Sequence, residues 1–277
     1  MAVTNNPLRQ YFRRPAIYIK LPSGVETYDS TVLDYPETGE LPVYPMTAID
    51  EITSRTPDAL YSGQAVVDII KSCVPAVKDP WKLSSMDLDA LLIAVKTATE
   101  GNDQDFTSEC PSCKEQNEYQ VNLINALGDI SGKPYEETIT IGELTIKFKS
   151  MSYKELNEIN KSQFEIQKSF QTNIDSITDE VEKTKKTAQL IIEITKAAMK
   201  ALVYSIEYIK TPGGVVDSKE YILDYIQNCD KNTFESLKDK SISIKTATEI
   251  KPMKIECPAC GHHYEQAYSL NITDFFG

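Results

Sequence analysis

The sequence predicts an α+β fold: an N-terminal β-hairpin, a small helical cluster, and a ribbon split in two by a long helical insertion. Three observations carry that expectation. One device occurs twice, as "ECPSCKEQNEYQ" at 109–120 and "ECPACGHHYEQAYSL" at 256–270: Glu, Cys-Pro-x-Cys, a polar turn, then a strand-like run with tyrosine. From Leu144 to Thr211 there is no Gly and no Pro, and apolar residues recur mostly at spacings of three, four or seven, the period of an amphipathic helix. Short alternating runs, Ile17/Ile19/Leu21 and Leu144/Ile146/Phe148, have the period of strands.

In chain order, "PAIYIKLPSGVETYDS" alternates and then turns at Pro22-Ser23-Gly24, the start of a β-hairpin. "YPETGELPVYP" reads as an extended connector. Thr47-Ala-Ile-Asp50 has capping-box character and opens a helix. Ser62 can cap a second, with Val66, Ile69, Ile70 and Cys73 inward, and Ser85 a third, with Leu88, Leu91, Leu92 and Val95 inward and Gly101 ending it. After the first Cys-x-x-Cys, "ETITIGELTIKFKS" is β-like. Ser152-Tyr-Lys-Glu155 is a good capping box for a stripe of Leu156, Ile159, Ile166, Phe170, Ile174, Ile177 and Val181. A second stripe runs Ile191, Ile194, Ala198, Leu202, Ile206, Ile209. These stripes form either one long helix or a hairpin broken near "QTNIDSITDE"; ordinary helix lengths favour the hairpin. "TPGGVVD" is a turn, Asp217-Ser-Lys-Glu220 and Asn232-Thr-Phe-Glu235 cap two shorter helices, and "ISIKTATEIKPMKIEC" returns to β-like alternation. "NITDFFG" ends the chain with two phenylalanines, either a sticky anchor or a plug for the ribbon's core. The chain thus divides into an arm and hairpin at 1–46, a helical cluster at 47–101, the split ribbon with its strands at 102–149 and 240–277, and a helical insertion at 150–239.

Four of the six cysteines form the two pairs, Cys110 with Cys113 and Cys257 with Cys260, and 143 residues separate the pairs. Each Cys-Pro-x-Cys turn aims two sulfurs at one point, and two such turns close a tetrahedral site. We therefore expect one structural zinc per chain on Cys110, Cys113, Cys257 and Cys260; four thiolates also suit iron. A thiol oxidoreductase would place a helix after each pair to lower the thiol pKa, and strand-like residues follow instead. Four thiolates leave no open position for metal catalysis. His262 and His263 can in principle replace a cysteine but read as turn residues. Cys73 and Cys229 stand alone in apolar patterns and read as small core residues.

With 29 basic and 41 acidic residues the formal net charge is −12, which disfavours direct contact with a phosphate backbone. The basic N-terminal arm, Arg9, Arg13, Arg14 and Lys20, reads as a solvated tail or a docking arm for an acidic partner. No run approaches the length of a membrane span, and the first twenty residues lack the apolar centre of a secretory signal, so an intracellular protein is expected. There is no phosphate loop, no Gly-x-Ser-x-Gly elbow, and only two histidines, adjacent in a turn. No catalytic residues are expected and the chain is not expected to be an enzyme.

The order of parts resembles the baseplate hub and baseplate assembly proteins of T4-like contractile-tailed bacteriophages. The matching pieces are "LPSGVETY", "LPVYPMTAIDEI", "VVDIIKSCV", "MDLDALLIAVKTATEG" and "CPSCKEQNEYQVNL", covering about residues 15–125. The resemblance implies a structural or assembly role in the hub region, other tail proteins as partners, and residence in the host cytoplasm during assembly or in the virion tail. The competing reading of the residues is a zinc-ribbon adaptor for a transcription or replication complex.

Overall fold

The structure is a computed structural model and describes residues 6–24, 26–56, 61–130, 137–174, 180–248 and 250–266. The chain forms two compact units: residues 1–132 with 249–277, and residues 133–248.

In the first unit, β1 (Ile17–Ile19) pairs antiparallel with β2 (Leu41–Val43), Ile17 opposite Val43 and Ile19 opposite Leu41. The turn at Pro22-Ser23-Gly24 therefore does not return a strand directly. The partner comes from the stretch expected to be a connector, because Leu41 and Val43 supply the alternation that buries one face. The helices that follow include α1 (Ala48–Ser54), α2 (Gln64–Cys73) and α3 (Ser85–Glu100). The α3 helix is the centre of the core, with Leu88, Leu91, Leu92, Ile93 and Val95 buried along it.

The caps refine the sequence reading. Thr47 and Asp50 form a complete capping box, but α3 is capped by Ser84 rather than Ser85. Ser84 is favoured because Asp87 completes the cap. Its buried carboxylate accepts from Ser84 Oγ at 2.8 Å, Tyr28 Oη at 2.5 Å and the Ser23 N–H at 3.0 Å. In α2 the N-cap is Gly63, and Ser62 Oγ accepts the Gln64 N–H at 3.3 Å. The basic arm also contains an internal pin. Arg13 donates to Ser72 O and Oγ, both at 2.8 Å, to Asp50 at 3.3 Å and to the Pro45 carbonyl. Arg13 is therefore tied into the first unit and is not a solvated tail residue.

Next come β3 (Asp103–Glu109) and β4 (Gln116–Asn122), an antiparallel hairpin. The α4 helix (Leu123–Ile130), which the sequence reading passed over, buries Leu123, Ala126 and Ile130.

The second unit holds a four-stranded antiparallel sheet in the order β5 (Thr138–Ile141), β6 (Leu144–Phe148), β7 (Ile206–Thr211), β8 (Gly214–Val216). Between β6 and β7 the chain makes a helical hairpin, α5 (Tyr153–Ile174) and α6 (Glu180–Ser205), in agreement with the favoured reading. Tyr204 Oη donates to Glu158 across the hairpin at 2.9 Å. Ile206 and Ile209 were expected to continue the α6 stripe, yet they lie on β7. There they pair opposite Phe148 and Ile146, and all four side chains are buried in the unit's core.

Two more helices, α7 (Lys219–Asn228) and α8 (Lys231–Thr248), cover this core with Ile222, Ile226, Leu237 and Ile244. The β-like alternation expected from Ile242 is thus overturned: α8 runs to Thr248. Leu237 and Ile244, seven apart, are buried on one helical face while Ile242 is exposed. The cap of α8 is Asp230, whose carboxylate accepts from the N–H groups of Asn232 and Thr233. The last pair of strands, β9 (Met253–Glu256) and β10 (His263–Gln266), belongs to the first unit. The terminal phenylalanines fall outside the described residues.

Candidate metal centre

The two Cys-Pro-x-Cys segments adopt the same turn, because their sequences impose the same backbone bonds. In the first, the Cys110 N–H donates to Glu115 O at 2.9 Å and the Lys114 N–H to Cys110 O at 2.9 Å. In the second, the Cys257 N–H donates to His262 O at 2.9 Å and the Gly261 N–H to Cys257 O at 2.8 Å. Each turn needs a left-handed residue just after its second cysteine. Gly261 takes φ +70° freely; Lys114 takes φ +65° as the only described non-glycine residue with positive φ. One knuckle joins β3 to β4, the other β9 to β10.

The hairpins bring all four cysteines together. Their sulfurs lie within 4.8 Å of one another. Cys110 Sγ stands 3.7 Å from Cys260 Sγ, and Cys113 Sγ 3.6 Å from Cys257 Sγ. A disulfide would need about 2.05 Å, and all four are free. Zinc–sulfur bonds of about 2.3 Å in a tetrahedron put neighbouring sulfurs about 3.8 Å apart, so the donor set fits a tetrahedral thiolate site. Cys110 and Cys257 are buried, whereas Cys113 and Cys260 are exposed. Asn117 Nδ2 approaches Cys257 Sγ at 3.5 Å, an outer hydrogen bond of the kind that orients a metal ligand.

A second layer holds the hairpins to each other. Tyr119 Oη donates to Glu256 O at 3.2 Å and lies 3.3 Å from Tyr264 Oη. Tyr264 Oη donates to Ser108 Oγ at 3.2 Å, which donates to Gln266 Oε1 at 2.7 Å. The sequence displayed this layer only as a tyrosine in each strand-like run. Asn117, Tyr119 and Val121 share one face of β4 by strand period, which is the signal that connects Asn117 to the cysteines. The His262 ring stacks on Tyr264 with centroids 6.1 Å apart. Among the described residues, the group able to hold a metal comprises the four cysteines alone.

The thiols do not titrate alike. Burial opposes ionisation of Cys257, but the N–H groups of Cys260 and Ala259 and the neighbouring thiols lower it to about 7. The His262 N–H favours the Cys260 thiolate, yet hydrogen bonds with the other cysteines, together with burial, push it up to about 12. One negative charge in the cluster makes the next harder to form. A bound cation removes that conflict.

Two hairpins that bring four thiols within 4.8 Å of one another define a mixed helix-and-sheet protein whose cysteine cluster is compatible with a zinc-ribbon-like site. The family described as T4 bacteriophage base plate protein matches residues 30–277. The chain belongs to that family. Membership makes it a phage baseplate protein. No curated protein and no solved structure matches it significantly. No helix among the described residues is long and apolar enough to cross a membrane.

Proposed function

We propose that this protein is a structural or assembly component of the hub region of a contractile-tail baseplate. It acts by binding other tail proteins and does no chemistry of its own. One zinc ion per chain on Cys110, Cys113, Cys257 and Cys260 locks its ribbon. The observation that carries this reading is the family match running through both knuckles, joined to the tetrahedral spacing of the sulfurs. Zinc bound there would supply Lewis acidity, used to keep four thiolates ionised side by side. The protein supplies the rest: backbone turns that aim the sulfurs, Asn117 beside Cys257, and the tyrosine pair that aligns the hairpins. Four protein ligands leave no open position, so the ion holds shape.

Two measurements test this. Elemental mass spectrometry should find one zinc per wild-type chain and none in Cys257→Ser; wild-type protein without metal overturns the clamp. A phage carrying Cys257→Ser should accumulate tail intermediates arrested before the hub is complete. Normal particle yield with the metal lost would refute the clamp's role in assembly.

A further inference from the structure

The arm before β1 is ordered yet buries nothing of its own. Pro7–Tyr11 form a short 3-10 helix in which no side chain is buried. Its order is local. Pro7 opens the helix with its φ preset, the Leu8 N–H donates to Asn6 Oδ1 at 2.9 Å, and the Phe12 N–H donates to Arg9 O at 3.2 Å. Arg13, through its bonds to Ser72, and the Ala16 N–H, which donates to Val43 O at 2.9 Å, anchor the arm's root. What this order displays is apolar. Leu8 is 61% exposed, Tyr11 77% and Phe12 57%. Leu8 and Tyr11 are three apart, so they stand on one face of a 3-10 helix. Arg9 and Arg14 are exposed beside them and make no ion pair among the described residues.

Charge narrows what can cover this arm. Residues 1–25 carry four basic side chains and no acidic one, whereas residues 26–277 carry 25 basic and 41 acidic, a net of −16. Two of the four cations are already engaged, Arg13 with Asp50 at 3.3 Å and Lys20 with Glu40 at 3.9 Å. Two free arginines beside an anionic body are too few for a phosphate backbone or an anionic lipid surface, where affinity builds with each charge neutralised. Exposed tyrosine and arginine are instead the residues that dominate protein–protein hot spots, and a preformed turn lowers the ordering cost of docking. Negative charge alone does not hold the arm. The body it springs from is acidic, yet Leu8, Tyr11 and Phe12 stay exposed beside it, so the occupant supplies apolar pockets as well. We propose that the arm docks into an acidic, apolar-lined groove of another protein, with Leu8, Tyr11 and Phe12 as anchors and Arg9 and Arg14 on carboxylates. That the groove belongs to a tail protein rests on the function proposed above. The arm precedes the residues matched by the family, 30–277, so membership by itself does not assign it a role.

The test places a photo-crosslinking phenylalanine derivative at position 11 of the full chain during phage infection, and mass spectrometry reads the site of attachment. The expected product joins the arm to a segment of a tail protein whose net charge is negative. Calorimetry on the two purified proteins then measures the contact. Arg9→Glu with Arg14→Glu should weaken binding at least about a hundredfold, and Tyr11→Ala with Phe12→Ala about as much. Raising salt from about 50 to about 500 mM should weaken it about tenfold. All four side chains are exposed, so circular dichroism and melting temperature should stay those of the wild type. A crosslink to nucleic acid, to lipid, to a second copy of this chain or to a basic segment overturns the proposal. The absence of any crosslink does so too, as does binding that survives either double variant. An acidic segment on a protein outside the tail keeps the arm's role and refutes the hub reading instead.

Discussion

The proposed clamp joins Cys110 to Cys257 across 146 intervening residues, and the second unit should make that closure cheaper. In this unit α8 packs against β5, so the element that opens it touches the one that closes it. With the unit folded, roughly 35 residues remain to be closed between the knuckles; with it unfolded, about 146 do. Closure cost grows as (3/2)RT ln n, and this ratio is worth about 1.2 kcal/mol, rising toward 2 kcal/mol if β4 and α4 are already in place. Unfolding the second unit alone should therefore weaken metal binding about eightfold, and at most about thirtyfold. Phe148→Ala, Ile206→Ala and Ile222→Ala together provide the perturbation. All three side chains are fully buried in that unit's core, and their joint loss costs about 8 kcal/mol against a typical domain stability of about 5–15 kcal/mol. Loss of the helical circular dichroism of α5 to α8 reports unfolding, and competition with a chelator reports metal affinity. Unchanged affinity would show that loop closure does not govern the site. A loss beyond a thousandfold would show that the ribbon cannot form without the second unit, and either result refutes the reasoning.

Other outcomes follow from single contacts. Arg13→Ala should destabilise the first unit by about 2 kcal/mol, because it removes the cationic partner of the buried Asp50 and the donor to Ser72 and Pro45; urea denaturation reads this, and a change below about 0.5 kcal/mol would contradict the pin. Burial works against the Glu155 carboxylate, but the Lys149 ammonium at 2.9 Å and the Ser152 N–H and hydroxyl hold its pKa below the ordinary value. A depressed carboxyl stabilises the fold above its unfolded pKa of about 4.3 and loses that contribution as pH falls through the folded value. The stability of the second unit should thus drop in acid, and Glu155→Gln should flatten that drop. Lys114→Gly should stabilise the first knuckle by about 0.5–1 kcal/mol, since its φ of +65° is free only to glycine; thermal melting of the metal-free protein checks it, and a lower melting temperature would contradict it.

Much of the candidate metal centre was legible because its signal is local. Cys-Pro-x-Cys fixes its own turn, and the repeat announces two halves of one site. The long helical stripes were legible for the same reason, since period 3.6 needs no partner to be seen. Where strand and helix periods coincide over a few residues, local pattern cannot decide. Ile206 and Ile209 extend the stripe of α6 perfectly well, yet β6 offers Ile146 and Phe148 as partners, and that long-range pairing ends the helix at Ser205. Ile242 and Ile244 alternate like a strand, yet Leu237 and the core of the second unit recruit only Ile244, and the helix continues.

The same limit hid Arg13. Its sequence neighbours, Arg9 and Arg14, make it one of a basic group, while its true partners, Pro45, Asp50 and Ser72, lie 32 to 59 residues away. It also separated Tyr119 from Tyr264, which meet only because both knuckles turn the same way. The contacts that composition and periodicity miss are those whose two halves lie far apart in sequence. In this chain the four-cysteine cluster is the exception, because each half repeats the other's sequence.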